Sequence, residues 1–310
     1  MLPAFFLFLL LCLSGFSLST ASAEGFSTRH TENFILRYTP QDRKIADVLS
    51  LEIEEIRSRI IADIGKNVAG KTLVFIAPTV ESFQKLQPAG APVPLWAAGV
   101  AYPQPNLIIL RSPRAVRGGR SDVKQLFTHE FSHIALSRAL PDQKIPLWLN
   151  EGLAMYQSRE WNFSRTSVLI KGILTGTLIP LDQLTASFPF EDDRAQLAYA
   201  QSFMFISFLI NQMGREAFHR LILDFSTHGD VTGSLRRATG LSLNELENQW
   251  LLFLKLRISW LPILTSASTI WFIATALFIS GYVRKKRQGQ AILKRWAMEE
   301  EAAEEISKPS

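Results

Sequence analysis

Two histidines four residues apart, followed by a glutamate 18 positions later, constrain this chain more than any other feature of its sequence. Residues 129–133 read HEFSH, and Glu151 follows in the segment NEG at 150–152. On a helix, residues four apart share a face, so His129 and His133 can converge on one metal ion. Glu130 is rotated away by about 100° and is the candidate general base. Two histidines and a glutamate form the ligand set of a catalytic zinc site, which leaves the fourth position to water.

The interval between the two motifs predicts a helix pair. The helix of His133 is expected to end near Arg138, and a second helix is expected to begin near Leu147, after a proline-marked turn. A short connection favours antiparallel packing, which directs Glu151 toward the imidazoles. A closed structural zinc site would need a fourth protein ligand, and the only cysteine, Cys12, lies in the apolar N-terminal segment. The alternative is an amphipathic helix that carries two surface histidines.

The two motifs together resemble those of the gluzincin metallopeptidases, and within them the peptidase MA-like domains. The match includes WLNEG at residues 148–152, and weaker matches are YAQSF at 199–203 and the stretch from Thr239 to Trp250. The resemblance implies a zinc-dependent peptidase that acts on peptide or protein substrates, with Zn²⁺ held by His129, His133 and Glu151. It also implies that Tyr199 hydrogen-bonds the tetrahedral intermediate. The alternative for Tyr199 is a tyrosine that packs in the core.

The sequence departs from thermolysin-type gluzincins at one position. Those enzymes place an aspartate four residues after the ligand glutamate to orient an imidazole, and here that position is Met155. Asn150 has two open interpretations: its side-chain oxygen holds the spare ring nitrogen of a ligand histidine, or it is a helix-start residue.

Apolar periodicity predicts the elements around the motifs. Strands are expected at 34–38 and 73–77, a helix at 41–64, and a hairpin at 97–102 and 107–110. The resemblance makes the hairpin a candidate substrate edge, with an ordinary sheet strand as the alternative. Helices are expected at 194–213, 215–225, near Ser234 and at 242–256, whereas 80–95 and 161–190 are expected to be the least regular stretches. The resulting fold class is α+β: a thermolysin-like gluzincin domain with a mixed sheet and helix N-lobe and a helical C-lobe, followed by one transmembrane helix.

Apolar segments near both ends predict membrane attachment. Residues 1–23 have the pattern of a signal peptide ending in Ala21-Ser22-Ala23, with an uncleaved anchor as the alternative. The segment 260–283 is the predicted transmembrane helix, with a buried core helix as the alternative, and the basic run that begins at Arg284 places the tail 284–310 in the cytoplasm. The catalytic domain, 24–257, is then extracytoplasmic on a single-pass protein, and membrane lipid is an expected partner.

Other functional classes are weighed against a peptidase. The net charge of +5 owes much to the basic run after the apolar segment, and without aromatic interleaving or a known motif we expect no nucleic-acid site. The alternative function is a non-catalytic zinc-containing binding or scaffold module anchored to the membrane.

Overall fold

The computed structural model describes residues 25–90, 93, 97–116, 122–189, 191–258 and 267–306. The chain divides into two compact units, with the boundary between Trp250 and Leu251. In the first unit a five-stranded mixed sheet is built from the N-terminal part of the sequence, and a largely helical part follows. This arrangement confirms the predicted combination of a mixed sheet-and-helix region with a helical region.

The sheet has two parallel strand pairs at its centre and an antiparallel pair at each edge. Its spatial order is β1 (Ser27–His30), β2 (Phe34–Tyr38), β3 (Thr72–Ala77), β5 (Leu107–Arg111) and β4 (Gly99–Tyr102). Strand β2 is parallel to β3 and β3 is parallel to β5, whereas β1 and β4 run antiparallel to their neighbours. The predicted hairpin is confirmed, since Val100 of β4 lies opposite Ile109 of β5. Strand β4 is an edge of this sheet.

Ten helices of four residues or more are described. They are α1 (Arg43–Ile64), α2 (Val80–Lys85), α3 (Val123–Ala139), α4 (Leu147–Ser158), α5 (Phe163–Thr175), α6 (Asp192–Met213), α7 (Arg215–His228), α8 (Val231–Thr239), α9 (Leu243–Ile258) and α10 (Ala267–Ile306). The expectation of irregular structure at 80–95 and 161–190 was wrong where α2 and α5 form. Helix α2 begins at a capping box between Thr79 and Ser82, and α5 begins at Asn162, whose side chain accepts from a backbone N–H.

Helix α3 rests on the sheet through an aromatic cluster. The ring of Phe34 on β2 lies edge-on to Phe127 and Phe131 of α3, with centroid distances of 5.4 and 5.1 Å. Phe127 and Phe131 are four residues apart and stack on each other, so they share one face of the helix. The positions two residues later, His129 and His133, are rotated by about 200° and occupy the opposite face.

Helix α4 lies against both α3 and α6. It approaches α6 closely at Gly152, where an added Cβ would lie 2.4 Å from the carbonyl oxygen of Ser202. One turn earlier, Trp148 of α4 is fully buried and meets the ring of Phe205 edge-on at 5.3 Å. These contacts hold α4 against α6 on both sides of the ligand candidate Glu151 in the sequence.

Parts of the terminal predictions fall on residues that the structure does not describe. The predicted signal peptide, 1–23, lies wholly outside the described residues, and the predicted transmembrane segment, 260–283, lies outside them up to residue 266. Among the helices of the described part, none combines the length and the apolar character needed to cross a bilayer.

Candidate metal centre

The candidate metal centre lies between α4 and the face of α3 that points away from the sheet. The N-cap of α3 is Asp122, whose carboxylate accepts hydrogen bonds from two backbone N–H groups of the first turn. His129 Nε2 lies 3.7 Å from Glu151 Oε2, and His133 Nε2 lies 4.0 Å from Glu151 Oε1. The structure therefore brings together the three side chains that the spacing predicted, and each is only 1% exposed.

The donor set fits one zinc ion. Two ligand atoms about 2.1 Å from the same tetrahedral zinc are roughly 3.4 Å apart, close to the separations between Glu151 and the two imidazoles. Both carboxylate oxygens of Glu151 are buried, and neither accepts a hydrogen bond from the residues that the structure describes. A buried carboxylate without hydrogen-bond donors is costly unless a cation compensates its charge. Two neutral imidazoles and one carboxylate are a typical catalytic zinc set.

Asn150 orients one of the two imidazoles. Its Oδ1 lies 3.0 Å from His133 Nδ1, so it can accept the proton of that nitrogen and leave Nε2 to face Glu151. Helix α4 begins at Leu147 after an N-cap at Pro146, which places Asn150 inside the helix. Of the two interpretations from the sequence, the histidine partner is confirmed and the helix-start residue is wrong.

Glu160 holds the other imidazole, although neither motif in the sequence pointed to this residue. Its Oε1 lies 2.8 Å from His129 Nδ1, and the side chain is 4% exposed. Arg159, the C-cap that follows α4, is a non-glycine residue in the left-handed conformation with φ of 57°, and this turn reverses the chain so that Glu160 reaches α3. Met155, at the position where thermolysin-type enzymes place an aspartate, is fully buried. In this chain Glu160, and not the residue at position 155, therefore contacts His129.

Glu130 lies beside the metal centre, against the edge strand. Its carboxylate approaches Gly99 of β4 so closely that a Cβ at that position would lie 2.6 Å from Oε1. The same added Cβ would lie 2.9 Å from Leu126 of α3. The absence of a side chain at Gly99 therefore lets the candidate base lie directly against the backbone of the sheet edge.

Comparison with known proteins identifies the family. A family model described as the peptidase MA superfamily matches residues 58–256, which is more than half of the chain and includes both motifs. The chain belongs to the peptidase MA superfamily. The resemblance predicted from the HEFSH and WLNEG segments is thereby confirmed.

The peptidase MA domain has partial likenesses to other proteins. An uncharacterized protein of Bacillus subtilis, YhcO, is 30% identical over 136 residues, which are 41% of this chain and 40% of that protein. Yeast LTA4 hydrolase matches 73% of this chain at 12% identity with a TM-score of 0.46, over 38% of its own length. The M1 zinc metallopeptidase of Deinococcus radiodurans matches 73% at 13% identity with a TM-score of 0.41, over 51% of its length. The chain thus spans about half or less of each of these proteins.

Burial sets the protonation of the candidate base in this peptidase MA domain. Removal from water raises the pKa of Glu130 to about 8, and the negative charges of Glu151 and Glu160 act in the same direction, whereas His129 opposes them. A carboxylate whose pKa lies near neutrality accepts and returns a proton more readily than an exposed one. A bound cation would favour the ionised form of Glu130.

The two imidazoles have unlike environments. Burial lowers the pKa of His133 to about 4, so this imidazole is neutral, as a metal ligand must be. Burial also disfavours the charged form of His129, but Glu160, Glu151 and Glu130 outweigh it and raise the pKa of His129 well above its ordinary value. A cation at Nε2 competes with that proton, so metal binding at this centre is coupled to proton release.

Tyr199 lies on α6 and is 6% exposed. Its ring meets Phe188 edge-on at 4.9 Å, so it does contribute to packing. Burial, followed by the charge of Glu151, raises the pKa of Tyr199 well above its ordinary value, which keeps the phenol protonated and able to donate. The charges of Glu160 and Glu130 also raise the pKa of Tyr199, whereas Arg165 lowers it.

Proposed function

We propose that the protein is a zinc-dependent peptidase in which His129, His133 and Glu151 hold the ion and Glu130 is the general base. The observation that carries the proposal is the convergence of three buried ligand side chains from two helices. The buried carboxylate of Glu130 lies on the same helix as the two histidines and is not one of the three ligands. Membership of the peptidase MA superfamily supports the same reaction class. When bound, zinc supplies Lewis acidity that lowers the pKa of water toward about 7 and polarises a substrate carbonyl.

Glu130 moves the proton. Its carboxylate accepts a proton from the attacking water and then returns it to the nitrogen of the departing amine, so that one residue acts first as base and then as acid. This role is supported by the adjacent position of Glu130 on α3, which places it beside the imidazoles and rotates it away from them. Its burial and its pKa of about 8 suit a group that must hold the proton between the two steps.

Tyr199 stabilises the negative charge that develops on the carbonyl oxygen. The neutral phenol donates a hydrogen bond, which is stronger in a buried site than in water. This role is supported by its electrostatic coupling to Glu151 and Glu130 and by its location on a helix that packs against α4.

Edge strand β4 receives the substrate backbone. An extended peptide can add to a sheet edge through main-chain hydrogen bonds. Because Gly99, Val100 and Ala101 of β4 are buried, substrate binding would have to expose this edge. The position of Gly99 next to Glu130 supports this docking mode, because it brings the edge strand to the residue that acts on the scissile bond. Peptide or protein chains in extended conformation are therefore the proposed substrates.

Membrane attachment is a separate part of the proposal. It is supported by the uncharged run 258–283, by the basic residues that begin at Arg284, and by the signal-like segment 1–23. The peptidase domain is then extracytoplasmic and the C-terminal tail is cytoplasmic. Alkaline carbonate extraction of cell membranes should leave the full chain in the pellet, and a protease added outside should leave the tail intact. Release of the chain by carbonate would contradict the anchor.

The peptidase proposal is tested with the purified full chain. We expect one zinc per chain by elemental analysis, cleavage of a mixed peptide library that chelator abolishes, and recovery when zinc is added back. Glu130→Gln should keep its zinc and lose about 10²–10⁴-fold in rate, whereas His133→Ala should lose zinc after dialysis. Glu247→Gln, the same change outside the site, is the matched control.

Two results would overturn parts of this assignment. Full activity in Glu130→Gln would remove the base. Stoichiometric zinc with no hydrolysis of any peptide in the library would favour the alternative, a non-catalytic zinc-containing binding or scaffold module.

A further inference from the structure

The contacts of Glu160 form a buried network that extends away from the metal centre. Besides His129 Nδ1, Oε1 accepts a hydrogen bond from Ser158 Oγ at 3.0 Å. The other carboxylate oxygen, Oε2, lies 3.5 Å from Arg165 Nη2, and Arg165 Nη1 donates to the main-chain carbonyl of Glu160. Both oxygens of this carboxylate thus have partners, which fixes its orientation more firmly than a single contact would.

Arg165 is itself held in place. Its backbone N–H donates to the side chain of Asn162, the N-cap of α5, at 3.0 Å. Its side chain is 13% exposed, so most of the guanidinium and its stem are packed. The end of α4 and the segment that follows it are also tied to α3, because Gln125 Nε2 donates to the carbonyls of Ser158 at 3.2 Å and Arg159 at 3.4 Å. The start of α5 is therefore connected to a ligand histidine through two side chains.

We propose that Glu160 and Arg165 form a positioning pair for the metal ligand His129. Glu160 accepts the proton of Nδ1 and so leaves the lone pair of Nε2 facing Glu151, and Arg165 holds Glu160 where it can do so. The inference rests on the proposed zinc site. It assigns to two residues that follow α4 a task that thermolysin-type enzymes give to a position inside that helix, which Met155 occupies here.

The two ligand histidines are therefore held by chemically different partners. Asn150 is a neutral acceptor within α4, whereas Glu160 is a charged acceptor on the connection to α5. A charged acceptor makes the stronger hydrogen bond, so loss of Glu160 should disturb zinc binding more than loss of Asn150.

Zinc affinity tests the pair without reference to activity. The variants are Glu160→Gln, Arg165→Met and the double variant, each measured on the full chain by competition with a chromophoric chelator and by the rate of zinc release. Glu160→Gln should bind zinc about 10–100-fold more weakly, and Arg165→Met should lose up to about tenfold. Because Arg165 acts through Glu160, the double variant should bind no more weakly than Glu160→Gln alone. Glu247→Gln should bind like the wild type.

Each other outcome has a definite meaning. Wild-type affinity in Glu160→Gln would overturn the pair, and additive losses in the double variant would overturn the dependence of Arg165 on Glu160. A raised KM in Arg165→Met with unchanged zinc affinity would make it a substrate contact, which also overturns the proposal. Circular dichroism checks folding, and if Glu160→Gln is unfolded, Arg165→Met and Arg165→Lys decide. Failure of the wild type to bind zinc would refute the proposed function itself.

Discussion

The contact between α4 and α6 makes Gly152→Ala an informative perturbation. An alanine Cβ at this position would lie 2.4 Å from the carbonyl oxygen of Ser202 and 2.7 Å from Ile206 Cγ1, both on α6. The oxygen belongs to the backbone of a helix and cannot rotate away. The two helices must therefore separate, and Glu151, the adjacent residue, must move with α4.

The expected cost follows from two opposing effects. Alanine favours the helix over glycine by up to about 1 kcal/mol. Overpacking costs about 1–3 kcal/mol, and contact with a rigid backbone belongs at the upper end of that range. The net destabilisation is about 1–2 kcal/mol, which lowers the Tm of a domain of this size by about 2–8 °C. Zinc affinity should fall as well, because the carboxylate of Glu151 is displaced from the imidazoles.

Thermal unfolding with and without zinc, together with chelator competition, measures both effects. Gly172→Ala is the matched control, because its added Cβ meets side-chain ends of Leu197 and Leu178, which can rotate. The control should be destabilised less than Gly152→Ala. If Gly152→Ala melts at or above the wild-type temperature with unchanged zinc affinity, the close approach of α4 to α6 is refuted.

Three further substitutions test the packing and capping of α3 and the hydrogen bonds that Glu54 accepts from Thr31 and Asn33. Phe131→Ala removes a ring that is 1% exposed and should cost about 3–5 kcal/mol in urea unfolding; a loss below about 1 kcal/mol would mean that the aromatic cluster does not hold α3. Asp122→Ala removes the N-cap of α3 and should cost about 0.5–2 kcal/mol by thermal unfolding, whereas no change would contradict the cap. Burial opposes ionisation of Glu54, but hydrogen bonds from Thr31 and Asn33 hold its pKa below the ordinary 4.5. The ionised carboxylate of Glu54 therefore stabilises the fold at pH values above 4.5, and this stabilisation is lost as the pH falls through the lower pKa of the folded state. The difference in free energy of unfolding between the wild type and Glu54→Gln should shrink in acid, and a constant difference would exclude the effect.

The part of the site that lies within regular helices could be predicted from the sequence. The spacing of His129 and His133 fixes their common face, because helical geometry is set by the backbone and hardly depends on context. The approach of Glu151 followed from a short connection between two helices. The hairpin formed by β4 and β5 was predicted for a similar reason, since two short apolar runs separated by a proline-marked turn are local signals.

Glu160 could not be predicted, because its position depends on a chain reversal that has no local signal. The reversal occurs at Arg159, and sequence rules assign a left-handed helix end to glycine or asparagine. Helix α5 was missed for a related reason: its exposed apolar residues, Phe163 and Leu174, obscure the amphipathic pattern. Tyr199 was identified only through the family resemblance, since the distance along the chain from α3 to α6 leaves no spacing to interpret.

The charges of the buried site explain why binding of an ion and folding of this region should be linked. Glu130, Glu151 and Glu160 are 3%, 1% and 5% exposed, and burying each carboxylate costs several kcal/mol unless an opposite charge compensates it. Arg165 pairs with Glu160 and offsets one of the three negative charges. Without an ion, proton uptake by Glu130, whose pKa is raised to about 8, and by His129, whose pKa lies well above its ordinary value, offsets negative charge, and a bound cation would take over that role. The residues that would bind the ion for catalysis are thus the ones whose burial the ion would make favourable. When the ion is removed, His129 and Glu151 should lose their fixed positions before the aromatic cluster beneath α3 does.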